Sequence, residues 1–251
     1  MTDIVAASIA DMSLAGSAWD RAWAETFAGA LDDPLRPAAE WVRAPLKGLR
    51  KASSEELYAT ALAIHAPTKG ATPCGLFLPG SSIVGRRVVE LGCGYGWLGR
   101  QIAPWTSRYL GVDISRLSLC VARSARGPRM RYAHIADQAV FRDLRGTFDT
   151  LFTRNTFFHL NRAHAVGALL RGRELLRPGS LAVVDFCTIR PGSIAGTIHD
   201  HDAPFDHLAP TCGYSFTESQ IAAVARDAAF DVEEIKPDST GTHCYVRLRM
   251  R

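Results

Sequence analysis

Val88-Val89-Glu90-Leu91-Gly92-Cys93-Gly94-Tyr95-Gly96-Trp97 is the stretch that decides the fold. Apolar residues lead into a glutamate, three glycines follow at alternate positions, and Trp97 to Ala103 can open a helix. Glycine has no Cβ, so the chain can turn sharply there and let a ligand lie against its backbone. Strand, glycine turn and helix, in that order, build the nucleotide site of a doubly wound sheet. A dinucleotide-binding G-x-G-x-x-G would need its third glycine at position 97, which holds Trp97. That cofactor class does not fit.

The next strand-like run, Tyr109-Leu110-Gly111-Val112-Asp113-Ile114-Ser115, ends in an acid 21 residues beyond Gly92. An acid at about this offset, roughly 20 residues, reaches ribose hydroxyls from the end of the second strand. A carboxylate accepts two hydrogen bonds and suits a vicinal diol. The alternative for Asp113 is to cap the helix that begins near Ser115. Strands are predicted at 87–91, 108–112, 131–135, 148–153, 181–187, 231–236 and 243–249. Helices are predicted near 97–104, 115–125, 161–176 and 217–229. Such alternation calls for a mostly parallel sheet covered on both faces. Only Asp238-Ser239-Thr240-Gly241 and its flanks join the last two strands. That is too short for a parallel crossover, so this pair should be antiparallel.

The run at 88–97 resembles motif I, E/D-x-G-x-G-x-G, of the class I S-adenosylmethionine (SAM)-dependent methyltransferases, matching it at Glu90, Gly92, Gly94 and Gly96. Asp113 falls at the family's second landmark. Tyr132-Ala133-His134-Ile135-Ala136-Asp137-Gln138 resembles its third strand and the acid that follows. Phe148 to Leu160 resembles F-D-x-V-x-S-N-x-x-L-H-H-L at the same length, and Leu175 to Phe186 resembles L-L-x-P-G-G-x-L-x-x-x-D. The likeness covers about residues 86–190 and is to the small-molecule type found in ubiquinone and menaquinone biosynthesis.

The resemblance implies an α/β fold: a doubly wound, seven-stranded, mostly parallel sheet with a reversed last strand. It implies SAM as cofactor and methyl transfer to a small organic acceptor. Its cofactor site would draw on Glu90, Gly92, Cys93, Gly94, Gly96, Trp97, Asp113, Ile114, Asp137, Gln138 and Arg154. Asp113 would hold the ribose and Asp137 would meet the adenine amino group. Arg154 departs from the family pattern, which has a small polar residue or asparagine there. Phe158 replaces the first histidine of the fourth landmark, and His159 keeps the second.

A chain of 251 residues, 47% hydrophobic and 22% charged, is long enough for one large domain with an extension. The net charge of +4 is too mild to argue for nucleic acid. The six cysteines are scattered with no C-x-x-C pair, the first residues carry acids in place of a basic leader, and no apolar run approaches the ~18 residues of a membrane span. A cytoplasmic protein with reduced thiols, as monomer or homodimer, is the expectation. Residues 1–80 read as a helical N-terminal extension and 81–251 as the SAM-binding core. Trp19, Trp23, Phe27 and Leu31 recur every four residues, the spacing of one helix face, and Asp32-Asp33-Pro34 ends that helix. This stripe either docks the helix on the core or closes as a lid over a flat substrate, with Trp19 and Trp23 as substrate contacts. A basic segment at 41–52 and a capping-box pattern at Ser53 and Glu56 complete the extension.

Transfer from a sulfonium needs alignment and exclusion of water. A base helps only where the acceptor must lose a proton. His159 follows the fourth strand on the ligand edge of the sheet and is one candidate base; the other reading is a residue that positions the loop. The loop His199-Asp200-His201-Asp202-Ala203-Pro204-Phe205-Asp206-His207 offers a second set, with His201 and His207 as catalytic candidates and His199 and Asp202 as substrate contacts. The same loop could be a polar surface or a metal ligand set, though it matches no standard zinc spacing. No metal is expected. No D/N-P-P-Y/F run follows the fourth strand and no RNA-binding module is present, so a small-molecule acceptor is expected, with oxygen first and nitrogen or carbon open. The alternatives are a non-methylating reaction of bound SAM (cyclisation or decarboxylation) and a non-catalytic cofactor-binding interaction protein.

Overall fold

The computed structural model describes residues 2–32, 80–124, 126–189, 197–206, 212–237 and 241–251. The basic segment, the Ser53–Glu56 pattern and His207 lie outside these residues. Two helices open the chain: α1 (Thr2–Leu14) and α2 (Gly16–Asp32), the latter ending where Asp32-Asp33-Pro34 was expected to stop it. The core then runs β1 (Arg87–Leu91), α3 (Trp97–Ile102), β2 (Arg108–Asp113), α4 (Arg116–Ser124), β3 (Met130–His134), α5 (Gln138–Asp143) and β4 (Phe148–Thr153). It continues with α6 (Arg162–Arg173), β5 (Leu176–Cys187), β6 (Ile198–Asp200), β7 (Gly213–Ser215), α7 (Glu218–Asp227), β8 (Phe230–Pro237) and β9 (His243–Met250).

Strands β3-β2-β1-β4-β5 pair in parallel in that order. β9 runs antiparallel to β5, and β8 antiparallel to β9, as the short connection between them requires. The central strands are buried on both faces, with Val88, Val89, Leu110, Val112, Leu151, Phe152, Val183 and Val184 sealed between the helical layers. The outer strand β8 is mostly exposed and is held to its neighbour by cross-strand ion pairs such as Arg249–Glu233 (2.7 Å) and Arg247–Glu234 (3.3 Å).

Among the described residues the sheet has nine strands where seven were expected. The two additions, β6 and β7, are three residues each and extend the carboxyl end of β5 through the single partnership Cys187↔Ser215. Three residues are too few for the alternation that marks a strand in sequence. Helix α5 was also unforeseen; Asp137 stands at its N-cap and accepts Val140 N–H at 3.2 Å.

α1 is part of the packing, burying Ile9 and Met12 in the main core. It lies so close to α6 that a Cβ on Gly167 would collide with the Ser8 side chain. His164 bridges the two helices, Nε2 to Asp11 at 2.8 Å and Nδ1 to Asn161 Oδ1 at 2.6 Å. Both partners are acceptors, so the full bridge needs a ring protonated on both nitrogens. Burial opposes that charge and lowers the histidine's pKa, while Asp11 raises it.

Asp185, on β5 and 1% exposed, accepts Thr153 Oγ1 at 2.5 Å and Thr156 N–H at 3.2 Å. It thereby fixes the turn after β4 to the sheet. Asp185→Ala leaves those donors buried without partners, and it should cost about 2–3 kcal/mol in denaturant unfolding. A midpoint equal to the parent's would show that the turn is held otherwise.

Candidate active site

The three motif glycines all have positive φ, at 73°, 51° and 79°, but they serve different neighbours. A Cβ on Gly92 would run into the side chain of Thr156, and one on Gly96 into the Tyr132 hydroxyl. Gly94 lines the cavities as Gly92 does, but a Cβ on it would meet only the Trp23 ring, 3.4 Å away. Two glycines therefore let the protein pack on itself, and the middle one opens the backbone to a ligand.

Asp113, at the end of β2, joins the glycine turn to the start of α4. Its Oδ2 accepts Gly94 N–H at 2.8 Å and its Oδ1 accepts Ser115 N–H at 2.8 Å. Burial raises its pKa, while the N–H groups of Ser115, Gly94 and Ile114 favour the charged form. Its capping role is realised, and it also stands in the cavity wall beside Gly94 and Ile114. Glu90, 3% exposed, accepts the Tyr109 hydroxyl at 2.5 Å. Burial pushes its pKa up to about 8 against the pull of that hydroxyl, so it is mostly uncharged at pH 7.

Helix α2 roofs this edge of the sheet. Trp19 meets His159 edge-on at 4.9 Å and Trp23 meets Tyr95 at 5.4 Å. Beneath them lie two adjoining cavities that share Trp19, Trp23, Gly92, Gly94, Asn155 and His159. One, of about 120 Å³, is bounded by Asp113, Ile114, Ile135 and Met12. The other, of about 370 Å³, is bounded by Glu90, Cys93, Tyr95, Trp97 and Arg154. The tryptophans read from sequence as substrate contacts thus stand over the glycine turn itself. The side chain of Phe27 lies outside the described part of α2.

Arg154 lies over the Trp97 ring, its guanidinium carbon 5.4 Å from the centroid, and its Nη1 is buried with no partner. With Glu90 largely uncharged, that cation has no counter-charge from the motif. His159 sits in a one-turn helix after β4, and its Nδ1 is 3.1 Å from the carbonyl of Cys212. A carbonyl only accepts, so Nδ1 carries the proton and Nε2 keeps its lone pair. Burial lowers this histidine's pKa to about 4 against the raising effect of that bond. Cys93 is buried and its thiol is pushed well up by burial, which removes it as a nucleophile.

The described loop candidates, His199, His201 and Asp202, line neither cavity. His199 lies in β6, opposite Tyr214. His201 Nδ1 meets Asp200 at 2.5 Å and its Nε2 meets Asp202 at 3.2 Å, so neither nitrogen offers a free lone pair. Asp137 and Gln138 also stand outside both cavity walls, and Gln138 Oε1 accepts from Arg171 at 3.3 Å. Sequence reasoning missed Asn155, Thr156 and Asp185. Asn155 has φ 54°, a left-handed conformation that asparagine tolerates better than most, and that was the one available signal.

Comparison with known proteins bears on this arrangement. Residues 88–179 match a family described as "Methyltransferase domain". Over those residues the chain has the sequence of a methyltransferase domain. The cofactor that goes with such a domain is SAM. A cypemycin N-terminal methyltransferase from a Streptomyces species is 41% identical over 110 residues, which is 41% of this chain and 42% of that protein. The chain therefore spans about two fifths of the curated relative it matches. A SAM-dependent methyltransferase from Mesorhizobium loti superposes with a TM-score of 0.54 at 19% identity, over 72% of this chain and 98% of that one. Magnesium protoporphyrin IX methyltransferase from Synechocystis with bound S-adenosylhomocysteine (SAH) gives 0.50 at 18%, over 68% and 77%. These likenesses are of fold. Among the described residues no helix is long and apolar enough to cross a membrane.

The residues present fit SAM. Gly94 leaves backbone open to a ligand, Asp113 stands in the wall of one cavity, and Arg154, whose Nη1 is buried with no partner among the described residues, stands in the wall of the other. The three glycines should separate by substitution. Gly94→Ala should remain folded, losing about 1 kcal/mol to its positive φ, while SAH affinity in calorimetry drops at least about tenfold. Gly92→Ala and Gly96→Ala should unfold at clearly lower denaturant, because a Cβ there meets protein. Equal losses of stability in all three would refute this division.

Proposed function

We propose that this chain transfers the methyl group of SAM to an amine nitrogen of a small organic acceptor. The observation that carries the choice of nitrogen is the state of His159, a half-buried imidazole in the cavity wall with its pKa lowered to about 4 and its proton held on Nδ1 by the Cys212 carbonyl. Such a ring holds almost no proton at pH 7 and is a poor base for a hydroxyl. An amine that arrives uncharged needs no base before it reacts. The Nε2 lone pair suits it: it accepts an amine N–H and turns the nitrogen's own lone pair toward the methyl group. The name of the Streptomyces relative also points to an N-terminal methylation. Oxygen, the first choice from the number of histidines, loses its support as His201 is engaged by two carboxylates.

Bound SAM would supply a methyl carbon on a sulfonium: the new N–C bond would form as the C–S bond breaks in line, SAH would leave as a neutral thioether, and the product ammonium would give its proton to solvent. Asp113 would hold the ribose with acceptor capacity left over from Gly94 and Ser115. Arg154 would take the methionyl carboxylate as the missing partner of its guanidinium, an ion pair strengthened by the dry aromatic wall of Trp97. Trp19 and Trp23 exclude water from the glycine turn. In this reading residues 1–80 are an extension of a core at 81–251, and their helices complete the site.

SAH release from wild-type protein with a panel of small amines and matched alcohols tests the proposal. Amines should turn over and alcohols should not. kcat/KM should rise with pH to a plateau set by the acceptor's own amine, near 8 (roughly) for an α-amino group. His159→Ala should lower kcat about 10- to 100-fold without a new inflection. An inflection between pH 6 and 7 that is common to all acceptors and lost in His159→Ala would make His159 a general base instead.

A further inference from the structure

Asp20 lies on α2 between the two roof tryptophans, yet its carboxylate points into another element. Its Oδ1 accepts the Ser115 hydroxyl at 2.6 Å and the Leu117 N–H at 3.0 Å. These are first-turn groups of α4, whose N–H donors have no partner within the helix. The Ser115 hydroxyl in turn accepts Ser118 N–H at 3.0 Å, and Ser115 N–H donates to Asp113. A continuous run of hydrogen bonds therefore connects α2, the start of α4, Asp113 and Gly94. One turn earlier, Gly16 brings the α2 backbone onto the end of β2, where a Cβ would lie 2.8 Å from the Ile114 carbonyl oxygen.

The consequence is geometric. Trp19 and Trp23 stand in the wall of both cavities, with Trp23 directly against the open face of Gly94. The cavity at the Asp113 end holds about 120 Å³ and adjoins the one of about 370 Å³, and both run beneath the same two rings. A nucleoside reaching from Asp113 along the glycine turn would lie under α2.

We propose that α2 is a lid over the cofactor and that Asp20 is its latch, a positioning residue that closes the lid by capping α4 beside the ribose acid. The proposal rests on the SAM-binding reading above. Each entry and exit of the cofactor breaks the two Asp20 bonds and withdraws the tryptophans from the glycine turn. Asn at this position keeps one acceptor oxygen and the latch; Ala removes it. Ala at position 16 loosens the same lid differently, because its Cβ meets backbone that cannot yield.

Stopped-flow tryptophan fluorescence with SAH as the probe tests this. Asp20→Ala and Gly16→Ala should each raise both the association and dissociation rates about tenfold, the size of a lost charged hydrogen bond. Asp20→Asn should stay within about threefold of the parent. A structural defect alone would slow association, so the joint rise is diagnostic. Should the variants fail to fold, hydrogen exchange of the wild type decides: amides of residues 17–23 should gain protection on SAH binding. Unchanged rates in folded variants, or α2 exchange indifferent to SAH, would overturn the latch while leaving cofactor binding intact. Absence of SAH binding by the wild type would overturn the cofactor reading and the latch together.

Discussion

The Asp113 carboxylate is the constraint on which the site depends. It is half-buried at the end of β2, where a charge is costly, and it is kept there by N–H donors from both sides, Gly94 and Ser115. Those bonds settle where the glycine turn lies relative to α4. Through Ser115 and Asp20 they also settle where α2 lies relative to both. A single acid thus aligns strand end, turn, helix start and roof, and whatever ligand touches it touches an element common to all four.

The remaining electrostatics follow from how dry this edge is. Burial makes Glu90 largely neutral and His159 a weak, neutral ring, while Arg154 keeps an unpaired nitrogen beside Trp97. The pocket therefore offers one cation and one well-hydrogen-bonded anion in the walls of adjoining cavities, with aromatic surface between them. In the proposed reading the cation would face the cofactor's carboxylate and the anion would accept from its ribose hydroxyls.

Much of this was legible in the sequence because it is dictated by the backbone. Glycines at 92, 94 and 96 take positive φ without strain, the offset to Asp113 follows from one strand-helix-strand unit, and the antiparallel end follows from a short connection. The helix carrying Trp19 and Trp23 was readable from its four-residue spacing. What the pattern could not supply were partners distant in sequence. Nothing local marks Asp20 as the acceptor for Leu117, 97 positions away, or Asp185 as the anchor of Thr156. In the histidine-rich loop, too, local composition did not show the pairing: Asp200 and Asp202 flank the imidazole of His201. Asp137 and Gln138 sit where the family likeness puts an adenine contact, but the cavity walls do not include them.

The most direct measurement is SAH calorimetry combined with denaturant unfolding of Asp113→Asn. The substitution keeps shape but replaces one accepting oxygen with an NH₂ that must face either Gly94 N–H or Ser115 N–H. If Asp113 organises both the turn and the roof, affinity should fall about 100-fold or more and stability should fall by about 2–3 kcal/mol together, since a buried donor then confronts a donor. Parent-like affinity with parent-like stability would contradict a site built on this carboxylate.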